Sequence, residues 1–354
     1  MISSVEASVN PTLFNELCLE QLTLCRVVEG ETVAVLNRGD ERLEYAASFM
    51  WAAQRLGAQA FHLRLPEPTS AGGNWSVGDV GLGTNPLAVE ALKSVDMVVD
   101  TALMLFSKEQ TEIQNAGTRV LTAIEPIDVL ARLMPRPDLR ERVEVGEEHL
   151  KKASALRITN GWGTDVTYQL GMYPTMTEYG YTDTPGRWDN WGCAFVFTGA
   201  SDDGVDGSIV LGPGDIIHPF DTYVQNPVKL TVEKGFVRDI RGLDGYSSLD
   251  ADLVKAYIES FEDPRGYGMS HVGWGLDERA RWHSMRQDVI GVETRSYYGN
   301  VMFSTGPNNE LGGPNDTPCH LDIPMRGCSL YLDDELIVDN GELTIPDMRP
   351  AARR

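Results

Sequence analysis

Residues 317–328 read TPCHLDIPMRGC, with His320 and Asp322 one residue apart ahead of apolar Ile323, Pro324 and Met325. Strand side chains repeat every two residues, so in an extended segment this imidazole and this carboxylate face the same side. Such a pair is either a polar strand face or two ligands to one metal ion. A third ligand has to come from elsewhere in the chain. His271 is the best placed by context, because GYGMSHVGWGL (266–276) surrounds it with glycines and a tryptophan. Glycine lets backbone and a ligand approach closely. Two histidines and one carboxylate with open positions suit non-haem Fe(II) that activates oxygen. They equally suit catalytic zinc, which takes three protein ligands and a water.

The remaining histidines carry weaker signals. His62 alternates with apolar residues and reads as a satisfied strand side chain. His149 sits in a charged helix, and His283, after DERARW, reads as helix surface. His218, before Pro219 at a strand end, stays a candidate. The stretch MYPTMTEYGYTDTPGRWDNWG (172–192) gathers Glu178, Tyr179, Tyr181, Arg187, Trp188, Asp189 and Trp191. It is either an aromatic loop packed on the core or the wall of a pocket for a flat polar ring. In the second case Glu178 serves as a ligand, a base or a group behind the ligands. In YYGNVMFSTGPNNELGG (297–313), Ser304 and Thr305 either hydrogen-bond a substrate or belong to an ordinary hairpin.

The elements that must position these residues fall into two textures. Over 1–150, helix and strand patterns alternate: helix 11–27, strand 32–37, helix 40–57, strand 58–66, loop 67–86, helix 87–95, strand 96–106, helix 108–117 and strand 119–125. This alternation predicts an α/β domain with a doubly wound parallel sheet. A charged helical stretch, 137–154, marks the boundary. Residues 151–354 turn to strands, glycines and aromatics and predict an α+β domain that carries the metal site. There, 208–220 and 228–240 read as antiparallel strands joined by tight turns, 247–263 as a helix, and 327–343 as a closing hairpin around Asp333–Asp334.

Composition removes several classes of function. The formal net charge of -22 repels nucleic acid and anionic membrane. No apolar run is long enough to span a bilayer, and the N-terminus has no secretory pattern. The five cysteines form no CxxC pair, which predicts reduced thiols and a cytoplasmic protein. No dinucleotide, P-loop or EF-hand pattern is in place; GLGTN (81–85) is a fragment in a loop.

Taken in order, TEYGY, PGRWDNW, SHVGWGL, YYGNVMFSTGPN and TPCHLDIPMR, with VVDTALMLFSKEQ and GTRVLTAIEP upstream, resemble the bacterial 2,5-dihydroxypyridine 5,6-dioxygenases. These belong to the wider aminopeptidase T-like metalloprotein group. The resemblance implies one Fe(II) held by His271, His320 and Asp322. It implies catalytic roles for Glu178, Tyr179 and Ser304, and substrate contacts from Leu105, Phe106, Glu178, Asn190 and Ser304. It further implies O2-dependent opening of the pyridine ring between ring atoms C5 and C6 to N-formylmaleamate, in a homo-oligomer. Two positions depart from the family pattern, which has histidine where this chain has Phe106 in LMLFSKEQ and Asn190 in RWDNWG. Three explanations stay open. The substrate is a related N-heterocycle, or Glu178, Tyr179 or His218 handles protons, or the chain has altered chemistry. The rival from the wider group is a metal-dependent aminopeptidase or amidohydrolase with two metals, but SHVGWGLDERAR lacks the companion pattern for a second ion. A non-catalytic binding protein is the third class, and an open three-ligand site beside an aromatic stretch argues against it.

Overall fold

A computed structural model of the chain describes residues 11–66, 81–105, 107–220, 222–283 and 291–353. Phe106 and most of the 67–86 loop lie outside the described residues. No helix among them is long and apolar enough to cross a membrane. The chain forms two compact units, Met1–Pro135 with Tyr179–Cys193, and Arg136–Glu178 with Ala194–Arg354. The sequence texture predicts a boundary near residue 150. The units divide instead at Pro135, ahead of the charged helix, and residues 179–193 rejoin the first unit.

The first unit is built on β1 (Thr32–Arg38), β2 (Gln59–Leu65), β3 (Met97–Asp100), β4 (Arg119–Thr122) and, from the returning segment, β8 (Trp188–Asn190). Their order is β2-β1-β3-β4-β8, and every pairing is parallel. The order reverses at β1, the mark of double winding. Parallel strands covered on both faces read as continuous apolar runs, and β3 and β4 are buried throughout. Helices α1 (Pro11–Leu24), α2 (Leu43–Arg55), α3 (Pro86–Lys93), α4 (Lys108–Asn115) and α5 (Ile127–Arg132) supply the cover. On one face Leu36, Val98, Leu92, Ile113, Leu105 and Trp188 share a core. Elsewhere Phe14 packs edge-on against Tyr45 and stacks on Trp191.

The strand expected over 96–106 stops at Asp100. Its buried carboxylate accepts the backbone N–H groups of Ala102, Leu103 and Met104 at 2.9–3.0 Å, which turns the chain out of the sheet. Asp189 does similar work in the returning segment. It accepts N–H groups from Tyr179, Gly180 and Asn190 and pairs with Arg187 at 2.6 Å.

The second unit opens with α6 (Pro137–Lys152) and holds two antiparallel sheets. The larger one comprises β5 (Ala155–Asn160), β6 (Asp165–Gln169), β10 (Val205–Leu211), β13 (Val228–Glu233), β14 (Phe236–Gly242), β18 (Cys328–Leu332), β19 (Glu335–Asp339) and β20 (Glu342–Leu343). The smaller one comprises β7 (Met176–Glu178), β9 (Phe195–Gly199), β15 (Met269–Gly275), β16 (Val301–Thr305) and β17 (Leu321–Met325), ordered β17-β16-β15-β9-β7. The helix α7 (Leu249–Glu259), the short helix α8 (Val292–Ser296) and the two-stranded pair β11 (Ile216–Ile217) and β12 (Thr222–Tyr223) complete it. β10 and β13 pair antiparallel as expected, but β11 and β12 lie between them in the chain; the tight turn at Lys234–Gly235 joins β13 to β14. The hairpin at Asp333–Asp334 is present, and the Asp333 carboxylate accepts the N–H groups of Ser154 and Ala155.

Asp215 ties the β10–β11 connection to the turn after β17, accepting N–H groups from Gly212 at 2.8 Å and Arg326 at 2.9 Å. Burial raises its carboxyl from 3.8 to about 6, while those donors and the Arg326 charge pull the other way. An acid whose folded pKa is raised binds an extra proton in the folded state between the two values. Its contribution to stability therefore declines as pH rises through that window. Between about pH 4 and about pH 7, wild type should lose about 2 kcal/mol more unfolding free energy than Asp215→Asn. Urea titrations of both proteins at the two pH values measure this, and parallel losses would refute it.

Candidate metal centre

His320 ends the approach to β17, and Asp322 is the second residue of that strand. The two-residue period places both side chains on one face, as the spacing predicts. His271 lies on β15, one strand beyond β16. His271 Nε2 and His320 Nε2 approach the same oxygen, Asp322 Oδ1, at 3.1 and 3.2 Å. One ligand atom from each residue lies within 4.8 Å of the others. Among the described residues this is the one group of His, Cys, Asp or Glu side chains able to hold a metal ion.

Two polar atoms of this trio have no hydrogen-bond partner. His320 Nδ1 lies 3.1 Å from the Thr305 carbonyl, which can only accept, so Nδ1 carries the hydrogen. The other ring nitrogen, Nε2, faces the carboxylate oxygen. His271 Nε2 and Asp322 Oδ1 are buried and make no hydrogen bond. Close approach without hydrogen-bond geometry is what a shared ion produces. The electrostatics agree. Burial raises the Asp322 carboxyl, but the imidazoles of His320 and His271 outweigh it and hold it well below the usual range. Burial lowers His271, yet Asp322 and Glu310 reverse this and lift it to about 9.

His271 is aimed by an irregularity of the sheet. Met269 pairs with Thr305 and Val272 with Phe303, so Ser270 and His271 together oppose the single residue Ser304. That is a β-bulge, a device that re-aims a side chain and interrupts the ladder. The Ser304 hydroxyl fills the gap, accepting from His271 N–H at 2.9 Å and donating to His271 C=O at 3.3 Å. Ser304, expected to contact substrate, is engaged in positioning His271.

The glycines around His271 also differ from expectation. An added Cβ at Gly273 would lie 2.1 Å from the Val196 carbonyl oxygen, and one at Gly275 would lie 2.4 Å from that of Arg295. Neighbouring protein backbone, rather than a ligand, makes glycine necessary at these two positions.

Other candidates fall elsewhere. Glu178 pairs with Phe195 on β9, whereas His271 pairs with Gly199. Four residues along a strand span about 13 Å, which takes Glu178 out of reach of the ion. Its carboxylate is bound to Arg295 at 2.5 Å, so it is not a ligand. His218 Nε2 meets Thr294 Oγ1 at 2.8 Å, and its N–H donates to the Asp322 carbonyl; it braces the backbone of β17. His283 is not on a helix; it meets Glu293 at 2.8 Å. His62 meets Asn37, as a satisfied strand histidine should, and His149 meets Glu335. Leu105, Tyr179 and Asn190 belong to the first unit. Leu105 is part of its core, the Tyr179 ring lies under the Arg187 guanidinium at 4.0 Å, and Asn190 ends β8 with its side-chain oxygen buried and without a hydrogen bond.

Sequence reasoning passed over Glu310, whose Oε1 lies 3.2 Å from His271 Nδ1. Its signal was weak, a lone acid in the loop NNELGG.

Residues 13–345 match the model of the 2,5-dihydroxypyridine 5,6-dioxygenase family. The 2,5-dihydroxypyridine 5,6-dioxygenase of Pseudomonas putida is 44% identical over 337 residues, covering 92% of this chain and 94% of the relative. The chain belongs to this family. A solved structure of the Pseudomonas putida KT2440 dioxygenase superposes with a TM-score of 0.91 at 42% identity, over 96% of this chain and 100% of that one. AmpT from Thermus thermophilus shares the fold at a TM-score of 0.57 and 12% identity, over 94% and 99% of the two chains. Family membership makes a ring-opening oxygenase the frame in which the trio is read, and the AmpT likeness shows a shared fold.

Ser304→Ala should leave the bulged N–H of His271 without an acceptor. The expected loss is about 1–3 kcal/mol of unfolding free energy, the usual cost of an unpaired buried polar group. Chemical denaturation of the metal-free protein reads this directly; an unchanged midpoint would mean the bulge holds without the hydroxyl.

Proposed function

We propose that this chain is a non-haem ferrous dioxygenase that opens 2,5-dihydroxypyridine to N-formylmaleamate, with one Fe(II) held by His271, His320 and Asp322. The observation that carries the metal reading is the convergence of two imidazole nitrogens and one carboxylate oxygen on one buried point, where His271 Nε2 and Asp322 Oδ1 make no hydrogen bond. Two histidines and one carboxylate leave open positions, as oxygen-activating iron requires. The ring substrate is supported by family membership and by the named activity of the Pseudomonas putida relative. Five buried cysteines, none of them in a disulfide, suit a reducing cytoplasm.

Bound ferrous iron would supply open coordination positions and the one-electron chemistry that ground-state O2 needs to react with a closed-shell ring. The protein's own part is positional. Thr305 C=O fixes the His320 tautomer, and Ser304 holds the bulge that turns His271 inward. Asp322 supplies one negative charge against the ion. The Phe197 ring lies 5.3 Å from that of His271 and gives the site an apolar flank. Both atoms of O2 enter the product, so no external reductant is consumed.

The test is oxygen uptake. Protein prepared anaerobically and loaded with Fe(II) should consume one O2 for each 2,5-dihydroxypyridine ring lost. His320→Ala should retain no iron and show only background uptake, with an unchanged circular dichroism spectrum. One bound iron without uptake would shift the substrate to another hydroxylated N-heterocycle. Two zinc or cobalt ions in place of iron would favour a hydrolase, and full activity in His320→Ala would remove the ligand assignment.

A further inference from the structure

The two imidazoles of the trio have different backing. His320 Nδ1 meets a neutral carbonyl, that of Thr305, at 3.1 Å. His271 Nδ1 meets a carboxylate, that of Glu310, at 3.2 Å. Glu310 is not placed there by a flexible surface loop. It lies in the short 3₁₀ turn Asn309–Leu311, between β16 and β17. Asn308 clips the loop across its neck: its N–H donates to Asn315 C=O at 3.0 Å, and its side-chain oxygen accepts from Asn315 N–H at 2.8 Å. The other end of the turn is docked on β9. An added Cβ at Gly199 would lie 2.7 Å from Leu311 Cδ1, so Leu311 sits against the backbone of the residue that pairs with His271. The turn thereby delivers Glu310 onto the outer nitrogen of the ring, and the second oxygen, Oε2, is buried without a hydrogen bond.

We infer that Glu310 is a positioning residue that holds the hydrogen of His271 on Nδ1, directs Nε2 toward the ion and makes that one histidine the stronger donor of the pair. A ligating imidazole whose other N–H donates to a carboxylate has a fixed tautomer and orientation and a more basic ligand atom; loss of such a partner typically costs 10–100-fold in metal affinity. The geometry gives the inference a specific shape. Charge backs His271 but not His320, so the two ligands are not equivalent. The inference rests on the metal reading above.

The test is titration of metal-free protein with Fe(II) under anaerobic conditions against a competing chelator, comparing wild type, Glu310→Gln, Glu310→Ala and Asp322→Ala. Affinity should fall about 10–100-fold in Glu310→Ala. Glu310→Gln, which keeps an acceptor oxygen but loses the charge, should fall less. The Co(II)-loaded Glu310→Gln protein should show a shifted ligand-field absorption, and melting of the metal-free variants should match wild type. Wild-type affinity in Glu310→Ala would overturn the inference while leaving the ligand trio standing. A loss as complete as that of Asp322→Ala would also overturn it, by making Glu310 a direct ligand. Lowered melting temperatures in both metal-free Glu310 variants, with Gln no better than Ala, would reduce the residue to a structural prop. Wild type that binds no Fe(II) would sink the metal reading, and this inference with it.

Discussion

The constraint on which the second unit depends is mutual repulsion between lone pairs. Two imidazole nitrogens and a carboxylate oxygen are brought within 4.8 Å inside a sheet whose strands are largely buried. In a medium of low dielectric such an arrangement is unfavourable unless a cation sits among them. Everything around the trio prevents its escape. The carbonyl of Thr305 keeps the hydrogen of His320 on the far nitrogen, the bulge opposite Ser304 keeps His271 turned inward, and His218 N–H pins the backbone of Asp322.

The same sheet treats charge differently at its other end. Glu178, on β7, is fully buried and meets Arg295 at 2.5 Å, with the guanidinium also over the Phe195 ring at 5.3 Å. There the protein supplies the compensating cation as a side chain. Glu278 shows a third arrangement. Burial raises its carboxyl, but Arg136 and Arg142, at 2.7 and 2.8 Å, pull it down to about 2. Both of these carboxylates have an arginine within 3 Å. Among the described residues Asp322 has no arginine at that distance; its neighbours are the two imidazoles, which need an ion in order to act as ligands.

Part of this was legible in residues because it follows from period alone. His320 and Asp322 share a face because strands repeat every two residues, and that holds wherever the strand is placed. The parallel sheet was legible because β1, β3 and β4 are apolar runs between helical stretches. The rest depends on pairings between distant segments. The bulge at His271 exists only relative to β16, so no local pattern announces it. The glycines of SHVGWG looked like room for a ligand, yet the backbone at Val196 and Arg295 takes that room. β8 is three residues long, too short for any periodicity. Trp188 and Trp191 belong to the first unit through the pairing of β8 with β4 and through their indole N–H groups, which donate to the Thr122 hydroxyl and the Leu130 carbonyl.

A site that repels itself when empty couples metal to stability. An ion that binds the folded chain and not the unfolded one adds about 2.7 kcal/mol at one hundred times its dissociation constant. That increment is a large fraction of the net stability of a typical domain. The elements that converge on the trio are β15, β16, β17 and the Asn309–Leu311 turn, three strands and a loop within residues 269–325. Ligands drawn from such separated segments cannot be gathered by local structure, so the sheet must form before the ion can bind. The ion in turn relieves the repulsion that the sheet imposes. A substitution that alters how tightly His271 is aimed must therefore register in metal affinity and, through it, in the stability of the metal-loaded protein.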